Sequence, residues 1–150
     1  MGKILAVCIS EKKGTTKKNV GTGYLKEEFG ILNDAHGGNW HRQVSLLSGE
    51  KIEEFRKKIW VEYGAFGENL VVEGFDFSKL PVGSRFAVGE AVLEMTQIGK
   101  ECHNDCVIKQ QTGECIMPRE GVFARVIHGG EIHVGDEMQL LPPLDNPPLR

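Results

Sequence analysis

The sequence lacks most of the features that mark specialised protein classes. No apolar run approaches the roughly 20 residues that a membrane span needs. The N-terminal apolar stretch covers only Ile4 to Ile9, too short for a span and without a secretory cleavage pattern. The expectation is a cytoplasmic protein with no membrane partner. Charge of one sign is also lacking: 18 Lys and Arg stand against 21 Asp and Glu, a net charge of -3. No basic tract or aromatic-basic alternation occurs, which removes the electrostatic footing for nucleic acid. Cysteine is sparse and uneven, four in 150 residues, which argues against a disulfide scaffold and for reduced thiols. Glycine is abundant: the 19 present are roughly twice the average share of about 7%.

One domain of this length can bury a core without staples. Its apolar segments are short, β-rich and bounded by glycine, at residues 4–9, 43–47, 69–72, 84–88, 91–96, 122–127 and 137–141. Such spacing predicts a mainly β domain over residues 1–141, a largely antiparallel and closed or nearly closed barrel with a few short helical segments. Val88-Gly89-Glu90-Ala91 and His128-Gly129-Gly130-Glu131 read as tight hairpins. Over residues 48–63, Ile52, Phe55, Ile59 and Tyr63 recur at steps of three and four, with Glu53/Lys57 and Glu54/Lys58 paired on the other side. This predicts one amphipathic helix, with Ser48 as N-cap and Gly64 as stop. Residues 11–20 read as a polar, basic loop, one that attracts an anionic ligand or, the more common case for such segments, is solvated or mobile. The proline-rich tail at 142–150 cannot continue a sheet.

Cys102, Cys106 and Cys115 lie in a mostly polar segment with His103, where burial does not explain the thiols. A working cysteine needs exposure and an electropositive setting that lowers its pKa from roughly 8.5. Lys100 and His103 flank Cys102 and would supply it. Cys8 instead sits in the apolar run at residues 4–9 and reads as a core residue. Cys-x3-Cys also falls within zinc-ligand spacing, although Cys115 has no close partner. A working thiol, a structural zinc site and inert cysteines therefore stay open. Asn33-Asp34-Ala35-His36-Gly37-Gly38-Asn39-Trp40-His41-Arg42-Gln43 suits a loop that approaches an anion closely, or one that satisfies its own backbone through Asp34 and His36.

Taken in order, Asn33-Asp34-Ala35-His36, Arg42-Gln43-Val44-Ser45-Leu46-Leu47, Phe66-Gly67-Glu68-Asn69-Leu70, Leu80-Pro81-Val82-Gly83, Gly99-Lys100-Glu101-Cys102, Gly121-Val122-Phe123-Ala124-Arg125-Val126 and Gly135-Asp136-Glu137 resemble a MOSC domain. That domain is named for the C-terminal part of eukaryotic molybdenum cofactor sulfurases, and this chain is similar to the small stand-alone bacterial type. The resemblance implies a β-barrel and makes Cys102 the family's cysteine, carrying sulfur as a persulfide or ligating molybdenum. Asn33 replaces the usual glycine, a change that asparagine tolerates. Cys106 and Cys115 are extra, as resolving thiols, ligands or spectators.

Two functions follow from the resemblance. One is a sulfur carrier or sulfurtransferase acting with the molybdenum cofactor. The other is a cofactor-dependent reductase of N-hydroxylated compounds, or a cofactor-binding module without turnover. In the second, Arg42, Arg85, Lys100 or Arg125 meets the phosphate of the molybdopterin cofactor and His36 its pterin. Asp34, His36 and Arg42 are expected on one concave face with Cys102. The chain leaves no room for a pyridoxal-phosphate desulfurase, so a separate cysteine desulfurase or other donor and a molybdoenzyme acceptor are the expected partners.

Overall fold

The computed structural model describes residues 2–12, 16–99 and 120–142. Its elements are β1 (Gly2–Ile9), β2 (Lys18–Asn19), β3 (Thr22–Lys26), β4 (Gly30–Ile31), β5 (Val44–Ser48), α1 (Gly49–Phe55), β6 (Leu70–Glu73), β7 (Arg85–Val88), β8 (Ala91–Ile98), β9 (Val122–His128), β10 (Gly130–His133) and β11 (Glu137–Leu140). A single 3-10 turn covers Phe77–Lys79. Strands β11, β7, β8, β9, β5, β6 and β1 pair in that order, and β1 returns to β11 to close a seven-stranded barrel. These are the seven segments that the sequence marks as strands. A second, three-stranded sheet, β10-β3-β4, lies outside the ring.

Two apolar clusters follow from strand alternation. The barrel interior holds Ile4, Leu46, Leu70, Phe86, Leu93, Met95, Ala124 and Val126. Outward-facing Ala6, Cys8, Leu47, Val71 and Phe123 form a second core with Ile52, Phe55, Val61 and Phe66. A register irregularity between Ile4 and Ala6 lets β1 feed both. Every barrel pairing is antiparallel except β5–β6. A parallel pair needs a crossover, and α1 with the chain that follows it supplies one.

Three local expectations are corrected. The helix stops at Phe55 instead of running to residue 63. Arg56 turns back, donating from Nε to the carbonyl of Val61 (2.9 Å) and stacking on Trp60 and Tyr63, with ring centres 4.0 and 4.5 Å away. Ile59 and Tyr63 still pack on the outer core, from a turn and not from a helix. Ser48 occupies the N-cap position without a side-chain cap bond, and Gly64 has a different task described below. The glycines at 129–130 are no hairpin, because β10 leaves the ring to pair with β3. A Cβ on Gly129 would sit 2.6 Å from the carbonyl oxygen of Leu25, so close backbone approach explains that residue. The 88–91 turn is a hairpin, with Val88 opposite Ala91 and Gly89 at φ +57°. Finally, the loop at 11–20 is not uniformly solvated: Lys18–Asn19 pair with β1, and Lys17 is buried.

Candidate functional site

Cys102, Lys100, His103, Cys106 and Cys115 lie outside the described residues, which do define the ground on either side of that segment. The chain leaves β8 and resumes before β9, and the Gly99 N–H donates to the Gly121 carbonyl (2.6 Å).

A row of side chains crosses the outer barrel wall from this point. Gln97 lies opposite Phe123, and Phe123 opposite Ser45. The Ser45 N–H donates to Asn69 Oδ1 (2.9 Å). Asn69 Nδ2 donates to the Cys8 carbonyl (2.9 Å). Four inter-strand steps of about 4.8 Å make the row about 19 Å long. The loop that follows β4 supplies charged groups at both ends.

At the Cys8 end is a buried ionic cluster. Lys17 Nζ meets Asp34 Oδ1 at 2.7 Å, both side chains having no solvent exposure. It also donates to Ser10 Oγ (3.1 Å) and stands 2.9 Å from His36 Nδ1. Asp34 Oδ1 accepts the Ser10 N–H (3.0 Å) and Oδ2 that of His36 (3.2 Å). Asn33 starts the turn at φ +71°, the left-handed conformation expected of it. Gly64 closes the cluster from above: at φ +96° a Cβ there would lie 2.1 Å from the Lys17 carbonyl oxygen. Glu68 is fully buried beneath, its oxygens accepting the N–H groups of Gly64 (2.9 Å) and Phe66 (3.1 Å). Burial pushes its carboxyl up to about 7 despite those bonds and the Lys17 charge. Burial, reinforced by the negative charge of Glu68, pushes the Cys8 thiol far up. Cys8 is thus an inert core thiol.

At the other end Arg42 donates from Nε to Gln97 Oε1 (3.1 Å), with its guanidinium 5.2 Å from the Phe123 ring centre. Gln97 Nε2 passes the connection on to the Gly99 carbonyl (2.8 Å), and the Thr96 hydroxyl donates to the His41 carbonyl. Among the described residues half-exposed Arg42 makes no further hydrogen bond, which leaves its terminal amino groups for an acceptor. Arg85 and Arg125 are placed differently. Both grip Glu94, at 2.9 and 3.3 Å, and Arg125 also reaches Glu28 (3.2 Å). Burial raises the Glu94 carboxyl, but the two arginines outweigh it and hold it below its usual range. Two arginines against two carboxylates leave little net charge there for an anion. A groove of about 400 Å³ beside α1, lined by Glu50, Glu53, Glu54 and Glu73 with Lys57, has the wrong sign for phosphate.

The sequence matches the family model of the MOSC domain over residues 33–139. The chain belongs to the MOSC family. Among solved structures, the MOSC domain described here is similar to the YuaD protein from Bacillus subtilis, with 22% identity, 92% of this chain and 94% of that chain covered, and a TM-score of 0.71. It is also similar to YiiM from Geobacillus stearothermophilus (18% identity, 95% and 76% covered, TM-score 0.73) and to YiiM from Escherichia coli (20% identity, 96% and 72% covered, TM-score 0.65). These likenesses carry the fold. No curated protein matches.

The MOSC domain places Asp34 and His36 at one end of the row, Arg42 at the other, and Arg85 with Arg125 on Glu94. Sequence reasoning missed Lys17, Glu68, Gln97 and Glu94. Only Glu94 had a readable signal, since the 88–91 hairpin register puts it opposite Arg85. Among the described residues no three His, Cys, Asp or Glu side chains group to hold a metal. No described helix is long and apolar enough to cross a membrane.

Proposed function

We propose that this MOSC domain binds an anionic, phosphate-bearing cofactor of the molybdenum cofactor type and uses Cys102 as its sulfur-handling thiol. The observation that carries the reading is the Arg42–Gln97–Gly99 relay. It holds a guanidinium with available donors beside the end of β8, and its last member, Gly99, precedes Cys102 by three residues, a span of at most about 11 Å. Arg42 fits a phosphate, since a guanidinium presents paired donors to such an oxyanion. A thiolate fits molybdenum, a metal that soft sulfur ligands suit. When bound, the cofactor supplies the metal-sulfur chemistry. The chain's own residues orient it and present the thiol.

As a sulfur carrier, the Cys102 thiolate attacks the outer sulfur of a donor persulfide. One S–S bond forms, another breaks, and the donor leaves as thiolate. The donor is a separate cysteine desulfurase, and the acceptor is the cofactor or a molybdoenzyme that holds it. Lys100, two residues before it in the sequence, favours the thiolate.

Intact-mass and elemental analysis of protein purified from a cofactor-producing host tests this. The expected result is one added sulfur or close to one molybdenum per chain, lost in Cys102→Ser with an unchanged melting temperature. Arg42→Ala should weaken cofactor retention at least tenfold and leave sulfur loading intact. One equivalent of zinc, with unfolding by chelator, would replace this reading with a structural zinc site.

A further inference from the structure

Three arginines donate from Nε to a side chain of β8. Arg85 and Arg125 donate to the two oxygens of Glu94 (2.9 and 3.3 Å), and Arg42 donates to Gln97 Oε1 (3.1 Å). The contacts are alike, but the first two meet a carboxylate and the third a neutral amide. Arg42 therefore keeps its positive charge unneutralised by its partner. The amide cannot turn round, because Gln97 Nε2 donates to the Gly99 carbonyl (2.8 Å), a group that only accepts.

A bulge brings Gln97 to this place. Met95 pairs with Ala124 and Gln97 with Phe123, so Thr96 is an extra residue in β8. Strict alternation from Met95, which fills the barrel interior, would turn Gln97 inwards as well. The inserted residue sets it instead beside Phe123, a member of the outer core. The Thr96 hydroxyl donates to the His41 carbonyl, which ties the bulge to the residue before Arg42.

A guanidinium offers paired N–H groups to an oxyanion along two edges: one combines Nε with a terminal amino group, the other the two terminal amino groups. Gln97 takes the Nε–H and with it the first edge. The Phe123 ring, its centre 5.2 Å from the guanidinium carbon, covers one face. We propose that Gln97 is a positioning residue that makes Arg42 bind an oxyanion end-on, through its two terminal amino groups, with the charge kept for that ligand. The ligand group is one with two unesterified oxygens on one centre, as a phosphate has. Only its assignment to a cofactor rests on the function proposed above.

NMR of the arginine side chains in the full chain tests this, with Arg42 assigned by comparison with Arg42→Lys and inorganic phosphate as the probe. In the wild type, phosphate should shift the terminal N–H signals of Arg42 and leave its Nε–H signal in place. Gln97→Glu sets a carboxylate against Arg42 and should weaken phosphate binding about tenfold or more. Gln97→Met should free the Nε–H, so that phosphate shifts it together with the terminal groups. Wild-type protein in which phosphate moves the Nε–H as much as the terminal groups, or moves neither, overturns the end-on contact. Gln97→Glu binding phosphate as the wild type does overturns the role of the amide. Should a variant fail to fold, the wild-type titration decides alone. None of these measurements needs sulfur or molybdenum at Cys102, so this inference and the proposed function fail separately.

Discussion

Glu68 makes the stability of the protein depend on pH in an unusual direction. Its carboxyl has no solvent exposure, and burial raises it from 4.5 to about 7. The folded state therefore holds a proton that the unfolded chain has released, and stability contributed by that proton is complete below 4.5 and lost as pH rises through 7. At 1.36 kcal/mol for each pH unit the full effect is about 3 kcal/mol, of which about 2–3 kcal/mol falls between pH 5 and pH 8. Glu94 acts the other way: its bonds to Arg85 and Arg125 hold it low, so its contribution is present above the unfolded value and fades as pH falls below it, outside this window. Urea unfolding of the wild type and Glu68→Gln at pH 5 and pH 8 isolates the term, because all other titrating groups cancel in the double difference. The glutamine variant should lose least, relative to wild type, at pH 8. Equal losses at both pH values would mean that Glu68 is ionised in the folded protein throughout, and the argument from burial would fail.

Further outcomes follow from packing and backbone geometry. Phe55 is buried edge-on against Phe66 at 5.0 Å, so Phe55→Ala should cost about 3–5 kcal/mol; a loss under about 0.5 kcal/mol in chemical unfolding, the range of surface changes, would disprove the outer core. Gly64→Ala forces a side chain to φ +96° against the Lys17 carbonyl, and a loss above about 1–3 kcal/mol is expected; an unchanged melting temperature would contradict the close approach. Lys17→Met leaves Asp34 buried without its partner and should cost about 3–5 kcal/mol, with part restored by adding Asp34→Asn. Equal stability of the single and double variants would show that the pair is not coupled.

What could be read from the sequence was what strand alternation writes locally. Each barrel strand is a short apolar segment between glycines, so all seven were legible. β3 was not: of its five residues only Leu25 is buried, and Tyr24 is half exposed. The helix was overextended because Ile59 and Tyr63 keep helical spacing while Arg56 finds better partners in Trp60, Tyr63 and the Val61 carbonyl. Lys17 could not be separated from Lys12, Lys13 and Lys18, since its burial depends on Asp34, seventeen positions along the chain. The candidate arginines look alike in sequence, yet Glu94 engages two of them and leaves Arg42 directed at the strand end.

The barrel is closed by its first strand meeting its last: Gly2 pairs with Met138 and Lys3 with Glu137. No local contact can make that seam. During synthesis β1 has to wait, with the exposed edge that would meet β11, until more than 130 further residues have been made, and closure of so long a loop is entropically costly and slow. Until then β1 is an unpaired edge on that side, a place where nascent chains can pair with one another instead of with themselves. The seam thus makes the ring an all-or-none late event in folding, and substitutions at Gly2, where a Cβ would press on the Glu73 carbonyl and the Phe75 ring, should reduce the yield of folded protein more than their local contacts alone imply.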